Sequence, residues 1–368
     1  MSEVEGRTVP YEVESQALDA EILAIIEAWH RRGESLDDGA FDDLALRLFD
    51  YQLRYNAPYA RYCARLGVAS PLSWEQIPAV PAAAFKEAAL ATFDPHTAAL
   101  TFETSGTTSG VGGLHYMETP ALYDAALLAA FDRLVPRDGR LRYFNLVPNP
   151  AERPSSSLGY MMARIGKERG AGSTGWYLHR DELLADAFER DVRAAISGHE
   201  AVCIAATAFA LVHLLDAMSG RGVTFALPPG SRIIRTGGFK GRSRIVEPSE
   251  LEESICTRFG IAQDAIVSEY GMTELSSQYY RAGTSAAYAG PPWLRTRVVG
   301  PERTTLARGA IGSLLHIDLS NRSSCIAVQT EDLGMETAEG LVLIGRDREA
   351  SLRGCSLDAE TLAIRAVS

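Results

Sequence analysis

From about residue 98 onward the chain alternates short apolar runs with segments of helical length, and few architectures accept that alternation. The apolar runs are 141–147, 202–205, 223–227, 232–234, 265–267, 314–317 and 341–344, and they carry strand chemistry. Between several of them lie helix-length segments, among them 119–134, 181–197 and 208–218. Strands that alternate with helices imply a sheet covered by helices, so the expected fold class is a layered α/β core.

The two ends of the sequence read differently. Ala17, Leu18, Ile22, Ile25, Ile26 and Trp29 fall at helical spacing, as do Phe41, Leu44, Leu48, Tyr51 and Leu53. After Pro71 the stretch SWEQIPAVPAAAFK is punctuated by proline and reads as extended surface chain. Residues 291–360 look strand-rich, which suggests a smaller β subdomain. The expected division is a helical N-terminal region over 1–90, an α/β core over 91–290, and a β-rich subdomain with tail over 291–368.

Composition narrows the class. With 46% hydrophobic and 23% charged residues, 368 residues make an ordinary globular chain with room for about two structural units. No apolar run reaches the roughly 18 residues a membrane helix needs. The nearest, 201–218, is broken by Thr207 and His213 and carries Asp216. The acidic N-terminus lacks the basic-then-apolar plan of a signal peptide, so the chain reads as cytoplasmic, with no membrane insertion. A net charge of −11, with both signs mixed along the chain, argues against a nucleic-acid surface. An anionic ligand would therefore need a local site. The cysteines (Cys63, Cys203, Cys256, Cys325, Cys355) form no CxxC pair, so neither a disulfide framework nor a zinc site is expected, and a cysteine with a role has it singly.

Three segments carry chemistry. In the first, TSGTTSG (104–110), every residue is Thr, Ser or Gly. Glycines let backbone amides turn inward and hydroxyls add donors, so such a loop can wrap phosphate oxygens, although it can equally be a surface turn. It is not a P-loop, because no Gly-Lys-Ser/Thr follows. The second, SEYGMTE (268–274), follows an apolar run. Tyr270 suits a nucleotide base, Thr273 a phosphate, and Glu274 a hard cation such as Mg2+. Alone, this could be a polar turn with a core tyrosine. The third, RTGGFK (235–240), ends a strand in two glycines that permit a flat ligand to approach the backbone; an ordinary strand-to-helix turn would look the same.

In this order and spacing, TSGTTSG, TGGFK and EYGMTE resemble the adenylate-forming ligases. Within them the chain is most similar to the acyl-protein synthetases of the bacterial luminescence fatty-acid reductase system, whose members lack the separate C-terminal lid domain. The resemblance extends to Tyr62-Cys63, to IPAVP (77–81) with Phe85 and Lys86, and to the tail. It implies a ligase N-terminal domain of layered α/β build with a small β-rich C-terminal subdomain, ATP and Mg2+ as cofactors, and a carboxylic acid as substrate. The acid would be activated as its acyl-adenylate and passed to a thiol.

The resemblance also implies roles. Thr104, Ser105, Gly106, Thr107, Thr108 and Gly110 hold the ATP phosphates. Gly237, Gly238 and Phe239 lie beside the adenine, Tyr270 lies against the base, and Gly271 belongs to the same ATP-binding set. Thr273 contacts phosphate and Glu274 binds the metal. Asp332, in TED (330–332), takes the ribose hydroxyls, and Arg346, in GRD (345–347), contacts the nucleotide. Cys355, in RGCSL (353–357), matches the acyl-accepting cysteine; otherwise it is a small buried residue or an idle thiol near the terminus. A thiolate is a strong nucleophile toward an acyl-adenylate, and Arg348 and Arg353 would lower its pKa. Other acceptors are CoA or a carrier protein, and an acyl reductase is the implied partner.

An acyl pocket is expected between 145–162 and 205–215, with Phe144, Tyr160, Met161, Met162 and Phe209 suited to an apolar acid. The chain departs from the pattern where VGGLH (111–115) replaces the phosphate-loop lysine, where Ser109 is inserted, where Glu331 replaces glycine, and where no lid lysine follows. These departures keep a non-catalytic, nucleotide-binding relative as the alternative. A serine hydrolase fits poorly, since AGSTG (171–175) has alanine first where the nucleophile elbow needs glycine.

Overall fold

A computed structural model describes residues 10–104, 112–136, 139–180, 182–237 and 247–346. The chain opens with α1 (Tyr11–Arg32), α2 (Asp38–Tyr55) and α3 (Ala57–Arg65), then the two-residue strand β1 (Val80–Pro81) and the short helix α4 (Ala84–Glu87). A hairpin, β2 (Leu100–Glu103) and β3 (Leu114–Met117), leads into α5 (Ala121–Leu134), β4 (Arg142–Leu146) and α6 (Ser157–Arg169). Three two-residue strands follow, β5 (Gly175–Trp176), β6 (Leu178–His179) and β7 (Glu182–Leu183), then α7 (Ala185–Ser197), β8 (Val202–Thr207) and α8 (Ala208–Gly220). After β9 (Arg232–Thr236) come α9 (Pro248–Phe259), β10 (Ile266–Tyr270) and β11 (Tyr279–Ala282). The described chain ends in β12 (Leu294–Val299), β13 (Ile311–Asp318), β14 (Ala327–Glu336) and β15 (Leu341–Arg346).

Helix boundaries follow from local chemistry. The side chains of Asp37, Asn56, Ser156 and Thr207 each accept a hydrogen bond from a backbone N–H of the first turn of α2, α3, α6 and α8. Gly33 and Gly260 close α1 and α9 in the left-handed conformation that glycine adopts without penalty.

The central sheet has six strands in the order β11-β10-β9-β8-β4-β5, all parallel except β11. Strand alternation sends Tyr143, Cys203, Ala205, Ile234, Val267 and Tyr280 toward α5 and α6. Phe144, Leu146, Ile204, Ile233 and Ile266 face α7, α8 and α9. The result is the layered α/β arrangement expected from the sequence. A second sheet joins β12, β13, β14 and β15 antiparallel and adds β1 alongside β14 in parallel. Its inner residues Leu315, Ile317, Ala327 and Val328 share one core with α1, α2 and α3. No helix among the described residues is long and apolar enough to cross a membrane.

Three expectations about elements need correction. Residues 223–227 are not a strand. The N–H groups of Phe225 and Leu227 donate to the carbonyls of Arg258 and Phe259 at the end of α9, so these amides hold the helix end instead of extending the sheet. The helix expected from 181 begins at Ala185, because Glu182 and Leu183 pair with β6. The proline-rich stretch after Pro71 is not wholly extended, since it includes a 3-10 turn at Trp74–Gln76 and α4.

Candidate functional site

The carboxyl ends of the parallel strands gather the candidate residues, the usual place for a ligand in an open α/β sheet. β9 and β10 run side by side, with Ser268 opposite Arg235 and Glu269 opposite Thr236. Gly237 and Gly271 are therefore the first residues beyond adjacent strands. Gly237 has φ +69° with nothing within 4 Å of where a Cβ would be, so backbone conformation and not space favours glycine there.

Tyr270, Asp332 and Arg346 meet although they lie far apart in sequence. The Tyr270 hydroxyl donates to Asp332 Oδ2 at 3.0 Å, and Arg346 Nε donates to Asp332 Oδ1 at 3.0 Å. The Asp332 carboxylate thus joins the end of β10 to β14 and β15. Behind Tyr270 stands His316, whose Nε2 lies 3.3 Å from the Tyr270 hydroxyl. Its Nδ1 lies 3.0 Å from the hydroxyls of both Tyr279 and Thr296. Burial pushes the His316 imidazole down to about 3, so it is neutral. With the Tyr270 proton given to Asp332, Nε2–H is assigned as donor to the tyrosine oxygen and Nδ1 as acceptor. His316 is a residue the sequence reading missed.

Thr273 is fixed from two sides. His115 Nδ1 donates to its carbonyl at 2.7 Å, and its hydroxyl is 3.2 Å from the Ser157 hydroxyl. Burial lowers the His115 pKa to about 4, consistent with a neutral ring donating one N–H. Ser157 is the first residue of α6, so the positive end of that helix dipole lies beside Thr273. The neck of the candidate phosphate loop reaches the same place. Thr104 N donates to Gly113 O at 2.8 Å, and Gly113 N donates to Thr104 Oγ1 at 2.7 Å. Next to Thr104, Glu103 N donates to Ser155 O at 2.9 Å, which ties the neck to the approach to α6. A Cβ on Gly113 would sit 2.8 Å from the carbonyl carbon of Phe85, so this approach requires glycine.

The segment 271–277 is clasped by the turn after β13. Ser276 N donates to Asp318 Oδ2 at 2.9 Å, while the Ser277 hydroxyl and Ser320 N donate to Oδ1 at 2.9 and 3.1 Å. The Ser320 hydroxyl donates to Oδ1 as well. Asn321 Nδ2 donates to the Glu274 carbonyl at 2.8 Å and its Oδ1 accepts from the Ser276 hydroxyl at 2.6 Å. Burial pushes the Asp318 carboxyl up, and these hydrogen bonds draw it part of the way back. Glu274 itself is buried, with 8% of its surface exposed. In an Asp318→Asn variant one oxygen becomes a donor facing donors. We expect it to lower unfolding stability by about 1–3 kcal/mol, the cost of a buried group without a partner. Denaturant midpoints measure this, and equal stability would show that the clasp does not hold the segment.

Residues 33–362 match the family described as acyl-protein synthetase, LuxE. The chain belongs to that family. No curated protein matches it. Among solved structures, it is similar to an open conformation of 2-hydroxyisobutyryl-CoA ligase in complex with 2-HIB-AMP and CoA, at TM-score 0.63 and 14% identity over 84% of this chain and 69% of that one. It is also similar to the adenylation domain of a keto acid-selecting NRPS module bound to keto acyl adenylate, at TM-score 0.50 and 14% identity over 69% of this chain and 52% of that one. At these identities the likeness establishes the fold, which is that of adenylate-forming ligases. The chain spans about half of the first solved structures it matches, 42%, 49% and 52% of their lengths.

The fold brings together Thr104, Thr273 and Ser157 on one side of the YGMTE turn, and Tyr270, Asp332 and Arg346 on the other. Ser105, Gly106, Thr107, Thr108, Gly110, Gly238, Phe239 and Cys355 lie outside the described residues. Among the described residues no cluster of three or more His, Cys, Asp or Glu side chains is poised for a metal. Burial raises the pKa of Cys256, that of Cys63 to about 12, and that of Cys325 well above the thiol range, so none of these three is poised as a thiolate.

The expected acyl pocket needs correction. Phe144 packs with Tyr177 and Phe188 on the α7 face, whereas Met161 and Met162 lie on the opposite face. Neighbours in a strand point to opposite sides, so Phe144 cannot line a pocket with the α6 methionines. On the α6 face, Phe102, Tyr123 and Tyr160 form an aromatic group with ring centroids 5.1–5.8 Å apart. Among them lies a carboxyl the sequence reading passed over. Glu269 is 7% exposed, and burial raises its pKa to about 7 against one hydrogen bond from Thr236.

Proposed function

We propose that this chain uses ATP to convert a carboxylic acid into its acyl-adenylate and then passes the acyl group to a thiol. The observation that carries the reading is the junction at the end of β10, where one five-residue turn meets a phosphate-loop neck, a helix N-terminus and an aspartate–arginine pair. In this reading the triphosphate lies across 104–110 and the Thr273 hydroxyl, with the start of α6 favouring its negative charge. Tyr270 and Gly237 flank the adenine, and Asp332, oriented by Arg346 and Tyr270, takes the ribose hydroxyls.

A substrate carboxylate oxygen attacks the α-phosphorus in line, and pyrophosphate leaves. The residues contribute mainly by positioning and by stabilising charge that develops on phosphate oxygens. Glu274 suits Mg2+, a hard cation that needs only one or two protein carboxylates beside phosphate oxygens and water. Bound there, the ion would neutralise the charge of the departing pyrophosphate. A thiolate then attacks the carbonyl of the mixed anhydride, forming a thioester and expelling AMP.

Cys355 is the proposed acceptor, with CoA or a carrier protein as the external alternatives, and an acyl reductase is the proposed partner. The acid is a fatty or other apolar acid, because the α6 face beneath the turn is lined largely by aromatic and aliphatic side chains. Reliance on ATP and a reduced thiol suits the cytoplasm. The test is intact-protein mass spectrometry after incubation with ATP, Mg2+ and a panel of fatty and aryl acids, beside Cys355→Ala. We expect an acyl adduct on the wild type that is absent from the variant. Pyrophosphate release without an adduct would move the acceptor to an external thiol. Neither signal with any acid would remove the reading and leave a nucleotide-binding subunit.

A further inference from the structure

The segment proposed to hold the phosphates has no cation of its own, since residues 104–113 are Thr, Ser, Gly and Val only. Hydroxyls and backbone amides can cradle phosphate oxygens, but a triphosphate brings several negative charges to one place, and lysine or arginine commonly meets them. The neck adds an acidic side chain instead. A Cβ on Gly112 would sit 2.5 Å from Glu103 Cγ and 2.8 Å from Glu103 Oε1, so that side chain lies against the backbone as it leaves the loop. His115, the basic ring nearby in β3, is neutral because burial pushes it down to about 4.

The next residue meets α4. A Cβ on Gly113 would lie 2.8 Å from the carbonyl carbon of Phe85 and 3.0 Å from Lys86 N, so no side chain fits at 113 and the space belongs to α4. Two contacts hold α4 in that place. The strand just before it, β1, pairs with β14, and Ala82 N donates to Gln329 O at 2.9 Å. The buried Phe85 packs edge-on to His115 with ring centroids 5.6 Å apart, and His115 in turn donates to the Thr273 carbonyl. The backbone at Lys86 is thereby fixed beside the neck, and its half-buried side chain has a flexible four-carbon stem with which to reach a ligand there.

Lysine itself is rare in this chain. Of 36 basic residues only Lys86, Lys167 and Lys240 are lysines, so the choice at 86 runs against the usage of the whole sequence. Lys167 lies in the last turn of α6, where either cation suits the helix end. At 86 the two differ: lysine presents a compact charge on a flexible stem, which can follow a phosphate that moves, whereas arginine offers a fixed planar fork.

We propose that Lys86 supplies the charge the loop lacks, its ammonium binding the β- and γ-phosphates of ATP at the neck and staying with the pyrophosphate as it departs. This rests on the reading of the chain as an ATP-using ligase and adds to it a phosphate-binding residue from outside the three chemical segments. As the bond from the α-phosphorus to the bridging oxygen breaks, its electron pair goes to that oxygen. A cation at the pyrophosphate stabilises the charge that develops there.

The experiment is calorimetric titration of ATP, AMP and inorganic pyrophosphate, each with Mg2+, into the wild type, Lys86→Met and Lys86→Arg. Methionine keeps an unbranched stem without the charge, and arginine keeps the charge. We expect Lys86→Met to weaken ATP and pyrophosphate by about ten- to a hundredfold, the range of one hydrogen bond to a charged group. AMP binding should be unchanged, and Lys86→Arg should retain most of the affinity for ATP. AMP carries the same adenosine and α-phosphate, so its binding also reports that the site is folded. A loss of ATP and AMP alike in Lys86→Met would mean that Lys86 serves the fold and would overturn the proposal, as would an unchanged affinity for ATP. ATP–pyrophosphate exchange with a panel of acids separates this from the ligase reading. Exchange that is undiminished in Lys86→Met overturns the role of Lys86 alone. Selective loss of ATP and pyrophosphate binding, with no exchange by the wild type on any acid, supports that role and removes the ligase. A wild type that binds neither ATP nor pyrophosphate overturns both.

Discussion

Replacing Arg322 by leucine should lower the free energy of unfolding by about 3–5 kcal/mol, the cost of removing one partner from a buried ion pair. Arg322 is only 1% exposed. Its Nε and Nη2 donate to the two oxygens of Asp19 at 2.7 and 2.8 Å, and its Nη1 donates to Glu118 at 2.5 Å. The guanidinium therefore joins α1, the residue after β3, and the turn after β13. That turn is the one that clasps 271–277 through Asp318 and Asn321, so the loss would also loosen the candidate site. Without the cation, Asp19 and Glu118 face each other partly buried. The same principle predicts that Arg322→Leu combined with Asp19→Leu and Glu118→Leu recovers much of the loss, since an apolar cluster carries no uncompensated charge. Denaturant unfolding of the single and triple variants measures both effects. A single variant within about 1 kcal/mol of the wild type would show that the cluster is not an anchor.

The sequence made the central sheet legible because its strands are short apolar runs separated by helices, a local pattern. It made the nucleotide segments legible because glycines and hydroxyls at fixed spacing mark where backbone must approach a ligand. Arg322 was not legible, because its partner Asp19 lies 303 residues away and each is an ordinary charged residue in its own surroundings. His316 and Asp318 were hidden for the same reason, as polar residues in a strand whose neighbours suggested only core. Residues 223–227 misled because hydrophobicity reports burial and not the partner of the backbone, which here is a helix end. Phe144 misled because an apolar run does not say which of its side chains face which layer. Glu269 stood inside a recognised motif and was still passed over, since nothing in the string of letters shows that its carboxyl turns inward.

That inward carboxyl should give the protein a pH dependence of stability opposite in sign to the usual salt-bridged acid. The folded state holds the Glu269 proton up to about 7, against an ordinary carboxyl value of 4.5. Below pH 4.5 the group is protonated whether the chain is folded or not, and burial carries no penalty for charge. Between 4.5 and about 7 the unfolded chain releases the proton while the folded chain keeps it, so stability falls as pH rises. Above about 7 both states are ionised and the full penalty is present. The difference between an ordinary value of 4.5 and one of about 7 corresponds to about 3 kcal/mol. Glu269→Gln keeps the shape and removes the titration. Subtracting its stability profile from that of the wild type isolates this one group from the other carboxyls. The difference should decline by about 3 kcal/mol across that window and level off on either side. A flat difference would mean that the carboxyl finds a compensating charge or water in solution. The proton that stabilises the fold would then be absent.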